Sequence, residues 1–392
     1  MIISYMNNIK NIIRCIHLTS NSFSKLNNFN CTSSVNFESN NYKIILDNMK
    51  ISFCADLDII AKDVNISEIK KILVDFDKDF NDVENSKFQF DVKNSNKSFS
   101  FQLNINGGII NIYILCSKNY ECIGYISVIL HAINTFCHMF TYNYNGLQIY
   151  ISLDNNLRNA DLNHNKDYEN IFKNLKKNSG AFNVSGVTNR YNKLIILTKQ
   201  QEIIKLLYHE MIHFIGLDHE LLKITQNHDW NIVNPKLNLS EAYTEFLSIL
   251  LNCAYETLHI YHKCNINMYD LYKNLLQIET EYSLYLTQKI FFFYGYNKKN
   301  IHEFFYKNTN NKLAEYNPIL IWEYIILRSK LLLNLDNFHW NNLSDLRVNR
   351  DNLIDTINFM KIDKDFVKKL KFNCTFDNSF SYNLIDIDWN YI

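Results

Sequence analysis

Residues 207–220 read Leu207-Tyr208-His209-Glu210-Met211-Ile212-His213-Phe214-Ile215-Gly216-Leu217-Asp218-His219-Glu220. The run contains H-E-x-x-H inside an apolar pattern that predicts a helix from about Lys199 to Ile215, with Thr198 as its N-cap and Gly216 as its stop. Two histidines four apart on a helix are rotated by about 400°, so they leave one face a turn apart and can share a metal ion. Imidazole suits zinc, and a catalytic zinc site takes three protein ligands with the fourth position left to water. Glu210, beside the first histidine, is placed to accept a proton from that water. With 12 His in 392 residues, chance supplies on the order of 0.02 such motifs per chain.

Working outward, Ser98–Asn104 and Ile109–Cys116 read as strands around Asn106-Gly107-Gly108, a hairpin signal. Glu121–Phe140 reads as a buried helix and Leu147–Leu153 as a strand. Phe182–Thr188 and Leu194–Thr198 are two further short β-prone runs before the H-E-x-x-H helix. Beyond Leu217 the pattern is almost all helix, with Leu239–Ile260, Met268–Tyr294 and Pro318–Leu333 the clearest segments. Upstream, Ile66–Phe80 is an amphipathic helix with Ile69, Ile72, Leu73 and Phe76 on one face. The expected fold class is α+β, a mixed sheet plus active-site helix followed by a mostly helical C-terminal part. The expected divisions are an accessory region 1–95, a sheet and active-helix unit 96–220, and a helical unit 221–392.

Forty Lys+Arg balance forty Asp+Glu, for a formal net charge of zero. Such a balance argues against nucleic acid and anionic membrane as partners, since both select for a basic excess. No window approaches the ~18 uninterrupted apolar residues of a membrane span. The nine cysteines (15, 31, 54, 116, 122, 137, 253, 264, 374) form no C-x-x-C pair and mostly sit in apolar runs. Together with a poor signal peptide, they point to buried thiols in a reducing, intracellular compartment. The chain has 59 Asn, 2 Pro and 8 Gly. That bias resembles the composition of proteins from large cytoplasmic DNA viruses or other AT-rich genomes.

Over roughly residues 98–260 the sequence resembles the zincin metallopeptidases, in which a mixed sheet backs onto the H-E-x-x-H helix and a third zinc ligand follows further along. Two residues are candidates for that ligand. His219 completes H-E-x-x-H-x-x-G-x-x-H, the metzincin pattern, with Gly216 allowing a sharp turn back toward the metal. Metzincins then run irregularly to a methionine turn, whereas this chain enters long helices and its Met268 stands at a helix start. Glu241, in Leu239-Ser240-Glu241-Ala242-Tyr243-Thr244-Glu245, is similar to the ligand on the second zinc helix of the gluzincins, with Ser240 as the expected helix start. In that case Glu241 ligates zinc, and Glu245, one turn on, accepts the ring N–H of His209. The 27 residues between His213 and Glu241 suit a gluzincin, and helical architecture favours Glu241 over His219.

The same resemblance implies a substrate strand laid along the edge strand before the active helix, for which Asn183, Ser185 and Gly186 are the candidates. It also implies a donor to the developing oxyanion, for which Tyr324, Arg328 and His228 are candidates. The expectation is a peptidase carrying one Zn2+ per chain, acting on polypeptide, with Glu210 as general base. The alternative is a non-catalytic zinc-bearing structural or interaction protein, against which the intact Glu210 argues.

Overall fold

The computed structural model describes residues 18–19, 25, 35–73, 97–116, 122–153, 185–224, 238–264, 266–293, 299, 301, 323–370 and 382–391. Six strands form one mixed sheet: β1 (Ile59–Lys62), β2 (Lys97–Ile105), β3 (Gly108–Cys116), β4 (Leu147–Leu153), β5 (Gly186–Asn189) and β6 (Leu194–Leu197), in the order β1-β2-β3-β4-β6-β5. The β2–β3 hairpin closes through Asn106 (φ 49°) and Gly107 (φ 82°), the two left-handed positions that a tight two-residue loop demands. β3 and β4 run parallel, as do β4 and β6, whereas β5 returns antiparallel on β6. β4 is therefore central, and every residue but Gln148 is buried, as a strand covered on both faces should be.

Helix α1 (Lys43–Phe53) precedes the sheet, α2 (Ile123–Met139) connects β3 to β4, and α3 (Ile203–Ile215) follows β6. One sheet face, through Ile112, Ile114, Ile149, Ile151 and Ile195, joins a core shared with α2, α3 and the later helices. The other face, through Leu115, Tyr150 and Ile196, is covered by Ile69 and Leu73 of a helical turn at 66–73, and Tyr113 stacks on Tyr150 at 4.7 Å. Ile72 is 42% exposed, so the buried stripe of that helix is narrower than its sequence pattern suggests. Phe76 lies outside the described residues.

The C-terminal part comprises α4 (His219–Ile224), α5 (Leu239–Ile260), α6 (Met268–Phe293), α7 (Glu323–Leu333), α8 (Leu353–Met360) and α9 (Lys364–Lys369). α5 is buried along nearly its whole length, as a helix packed on several sides must be, and it contacts α1, α3, α6 and α7. The fold is thus α+β with a helical C-terminal region. α1 and β1, from the first 95 residues, lie within the shared core and sheet.

Two helix starts differ from the sequence expectation. Thr198 remains tied to the β-ladder through its N–H to Ser185 O at 2.8 Å, so the chain makes a turn and α3 begins only at Ile203, after Glu202 at φ 60°. For α5 the N-cap is Asn238, whose Oδ1 accepts from Glu241 N at 3.2 Å. Ser240 is thereby placed inside the first turn with its hydroxyl available for Asp218.

Candidate metal centre

α3 and α5 pack against each other and bring His209, His213 and Glu241 together, with one donor atom of each lying within 4.8 Å of the others. The i, i+4 spacing on α3 gives the imidazoles a common face, with ring centroids 4.8 Å apart. Glu241, in the first turn of α5, completes the triangle. Its Oε2 lies 3.1 Å from His209 Nε2 and its Oε1 lies 3.3 Å from His213 Nε2.

The outer nitrogen of each ring has a carboxylate beside it. His213 Nδ1 is hydrogen-bonded to Asp218 Oδ2 at 2.8 Å, and His209 Nδ1 lies 3.1 Å from Glu245 Oε1, within ion-pair range but out of hydrogen-bond alignment. A ring that donates Nδ1–H outward to a carboxylate presents Nε2 as an acceptor. The two Nε2 atoms are 3.1 Å apart, so two lone pairs and a carboxylate converge, an arrangement only a cation or protons can relieve. Without metal, protons take that role. Burial pushes His209 down, yet the adjacent Glu241 and Glu245 carboxylates lift it to about 9. His213 is likewise lifted well above its usual value against burial by Glu241 and Asp218. Despite burial, Glu241 is held far below the usual carboxylate range by the two histidines.

The donor set fits zinc. Two imidazole nitrogens and a carboxylate oxygen are a common catalytic combination, and bonds of about 2.0–2.1 Å in a tetrahedron place ligand atoms roughly 3.3 Å apart. The two Nε2 atoms are 3.1 Å apart, and each has a different Glu241 oxygen at 3.1 or 3.3 Å. The Glu241 side chain is 32% exposed while those of His209 and Glu245 are nearly covered, so the centre opens on the Glu241 side.

Glu210 faces the edge strand. Its Oε2 accepts from Thr188 Oγ1 at 2.7 Å, and its carboxylate lies against Gly186, where an added Cβ would come within 2.8 Å of Glu210 Cγ. Burial raises the pKa of Glu210, opposed by the nearby His209 and His213. Thr188 was not anticipated from sequence, because its role depends on β5 lying beside α3.

Over 357 residues, 90% of this chain and 92% of the other, the sequence is 45% identical to Uncharacterized protein R210 of Acanthamoeba polyphaga mimivirus. The chain belongs to that mimiviral family. No family model matches the chain, and no solved structure matches it. The viral origin that composition suggested thus has support from a relative. No helix among the described residues is long and apolar enough to cross a membrane.

Gly216 ends α3 in this member of the family by a left-handed turn (φ 68°), with Gly216 N–H to His213 O at 3.1 Å and Leu217 N–H to Ile212 O at 3.3 Å. This reversal does not bring His219 to the histidine pair. It delivers Asp218 to His213 instead, while His219 is exposed at the start of α4 and accepts from Arg190 Nη1 at 3.3 Å. Ser240 Oγ donates to the same Asp218 carboxylate. Asp218 carried no assigned role in the sequence reading, although a carboxylate two residues past a helix-ending glycine is a usable signal. Met268 starts α6 and is buried.

Of the proposed strand residues, Ser185 and Gly186 lie at β5, the edge strand on the β6 side of the sheet, and Asn183 lies outside the described residues. His228 is outside them too. Tyr324 is buried on α7 with its ring 6.4 Å from that of Tyr382. Arg328 is fully buried, and its Nη1 donates to Glu245 Oε2 at 3.2 Å and to Tyr382 O at 3.0 Å. Its position is therefore behind Glu245, not at an oxyanion.

Proposed function

We propose that this chain is a zinc-dependent peptidase in which His209, His213 and Glu241 hold the metal and Glu210 is the general base. The observation that carries this reading is the convergence of His209, His213 and Glu241, one donor atom of each lying within 4.8 Å of the others, beside the buried Glu210 carboxylate on the same helix as the two histidines. Bound zinc supplies Lewis acidity and lowers the pKa of water toward neutrality. Glu210 Oε2 accepts from Thr188 and Oε1 lies against Gly186; the carboxylate so held would take the proton of the attacking water and return it to the leaving amine. The raised pKa of Glu210 suits a group that must both accept and donate a proton near neutral pH. Asp218 and Glu245 orient the two imidazoles, as carboxylates behind metal-bound histidines do.

β5 supports a polypeptide substrate. It is the outer strand beside α3, and an extended peptide adding to it would run past Glu210. These features accord with the zincin resemblance of residues 98–260 and, within it, with the gluzincin-like choice of third ligand.

The test is metal content and turnover together. Purified protein should carry about one zinc per chain, and Glu210→Gln should keep the metal while abolishing cleavage of an unfolded protein or peptide library. Protein without metal, or a Glu210→Gln variant with undiminished cleavage, defeats the proposal. Stoichiometric zinc with no cleavage by wild-type protein favours the non-catalytic, zinc-bearing alternative.

A further inference from the structure

Glu245 is held by two buried cations. Lys205 Nζ donates to Glu245 Oε1, the oxygen that also faces His209 Nδ1, and Arg328 Nη1 donates to Oε2. All three side chains are almost completely buried, with Lys205 1%, Arg328 0% and Glu245 2% exposed. Burying three charges is costly, and a buried ionic cluster is often no more stabilising than apolar side chains of the same volume. Arg328 sharpens the point, since its Nε and Nη2 have no acceptor among the described residues. Cost without compensating stability directs attention to what the cluster orients.

The geometry points to Lys205 and Arg328 as positioning residues for the metal centre: they hold the Glu245 carboxylate 3.1 Å from His209 Nδ1, so that the ring keeps its Nε2 toward Glu241. Lys205 stands one turn before His209 on α3, so Lys205, His209 and His213 form an i, i+4, i+8 row on one face. The clamp is closed from outside by the C-terminal segment. Tyr382 O accepts from Arg328 Nη1 at 3.0 Å, the Tyr382 ring lies under Lys205 Nζ at 4.9 Å, and Glu202 Oε1 accepts from Tyr382 N at 2.8 Å. Three distant stretches of chain thus converge on the carboxylate behind one ligand. The inference rests on the metal-site reading proposed above.

Its direction separates positioning from simple electrostatics. Removing a positive charge near a bound cation should tighten the cation's binding; removing a clamp that orients a ligand should weaken it. The experiment measures Zn2+ affinity by competition with a chromophoric chelator for full-length wild type, Lys205→Met, Arg328→Met, Glu245→Gln and each pair with Glu245→Gln. The clamp predicts zinc binding weakened by about 10-fold or more in either single variant. It also predicts little further loss in the Glu245→Gln background, because the cations act through that carboxylate.

Unchanged or tighter binding in folded Lys205→Met and Arg328→Met overturns the inference while leaving the metal site intact. Wild-type protein that takes up no zinc overturns the metal-site reading and this inference with it. If the methionine variants do not fold, Tyr382→Leu decides. A few-fold weaker affinity with a changed His209 ring ¹⁵N signature supports the clamp, and no change in either rejects it.

Discussion

His213 Nδ1 lies 2.8 Å from Asp218 Oδ2, across the turn that ends α3. The helix therefore supplies both an imidazole and, by reversing at Gly216, the carboxylate that orients it. A second donor, Ser240 Oγ at the start of α5, engages the same carboxylate oxygen and links the two helices through the centre. Replacing Asp218 by Asn keeps the shape and removes the charge that stabilises the Nδ1–H tautomer of His213. Zinc affinity should fall by about 10–100-fold, measured by chelator competition, with the far-ultraviolet spectrum preserved. Wild-type affinity in that variant would remove Asp218 from the centre.

Gly216 has a conformational reason to be glycine. At φ 68° a Cβ is strained, and it would also come within 2.8 Å of Arg190 Cζ. Arg190 Nε and the guanidinium of Arg347 donate to carbonyls in the last turn of α3, a favourable place for positive charge. Gly216→Ala should destabilise the protein by about 1–3 kcal/mol in urea unfolding. Adding Arg190→Ala should recover only the part of the loss that comes from the clash. Full recovery would show that backbone strain plays no part.

Gly186 answers for Glu210 in the same way. A methyl group there meets the Glu210 side chain, so Gly186→Ala should displace the proposed base without touching His209, His213 or Glu241. The expected result is zinc content equal to wild type and cleavage reduced at least about tenfold, a loss of roughly 1.4 kcal/mol in transition-state stabilisation. Undiminished cleavage would mean that Glu210 adapts freely and that its contact with β5 has no catalytic consequence.

What sequence made legible follows the range of the forces involved. His209 and His213 lie one helical turn apart, with Glu210 beside the first, so local spacing marks them; Glu241 and Glu245 also lie one turn apart, and it is the gluzincin resemblance that singles them out. The β2–β3 hairpin was readable because Asn106-Gly107 carries its own conformational signal. The partners Thr188 and Arg328 were not readable in this way. Thr188 matters only because β5 folds back on β6, and Arg328 meets Glu245 across 83 residues of chain. Ser240 looked like the helix start because its residue type suits a cap. Asn238 takes that place, and Ser240 turns inward to Asp218.

The last expectation concerns pH and lies away from the metal centre. Burial lifts Glu279, on α6, to about 7, partly offset by the backbone N–H groups of Ile385 and Leu384 that its carboxyl accepts. In the unfolded chain its pKa is the ordinary value near 4.5. Between those two pH values the folded state holds a proton that the unfolded state has lost. Stability from this group is therefore complete below about pH 4.5, falls as pH rises toward 7, and levels off above it. The full difference amounts to about 3 kcal/mol. Asp386, lifted to about 7 by burial and by Glu202, contributes with the same sign. Glu279→Gln keeps an acceptor for the two N–H groups and removes the titration. In chelator-treated protein, the stability of this variant relative to wild type should rise steadily from pH 4.5 to 7 and stay constant from 7 to 8.5. A difference that is flat across the first interval, or that falls, would show that Glu279 is not held protonated by its surroundings.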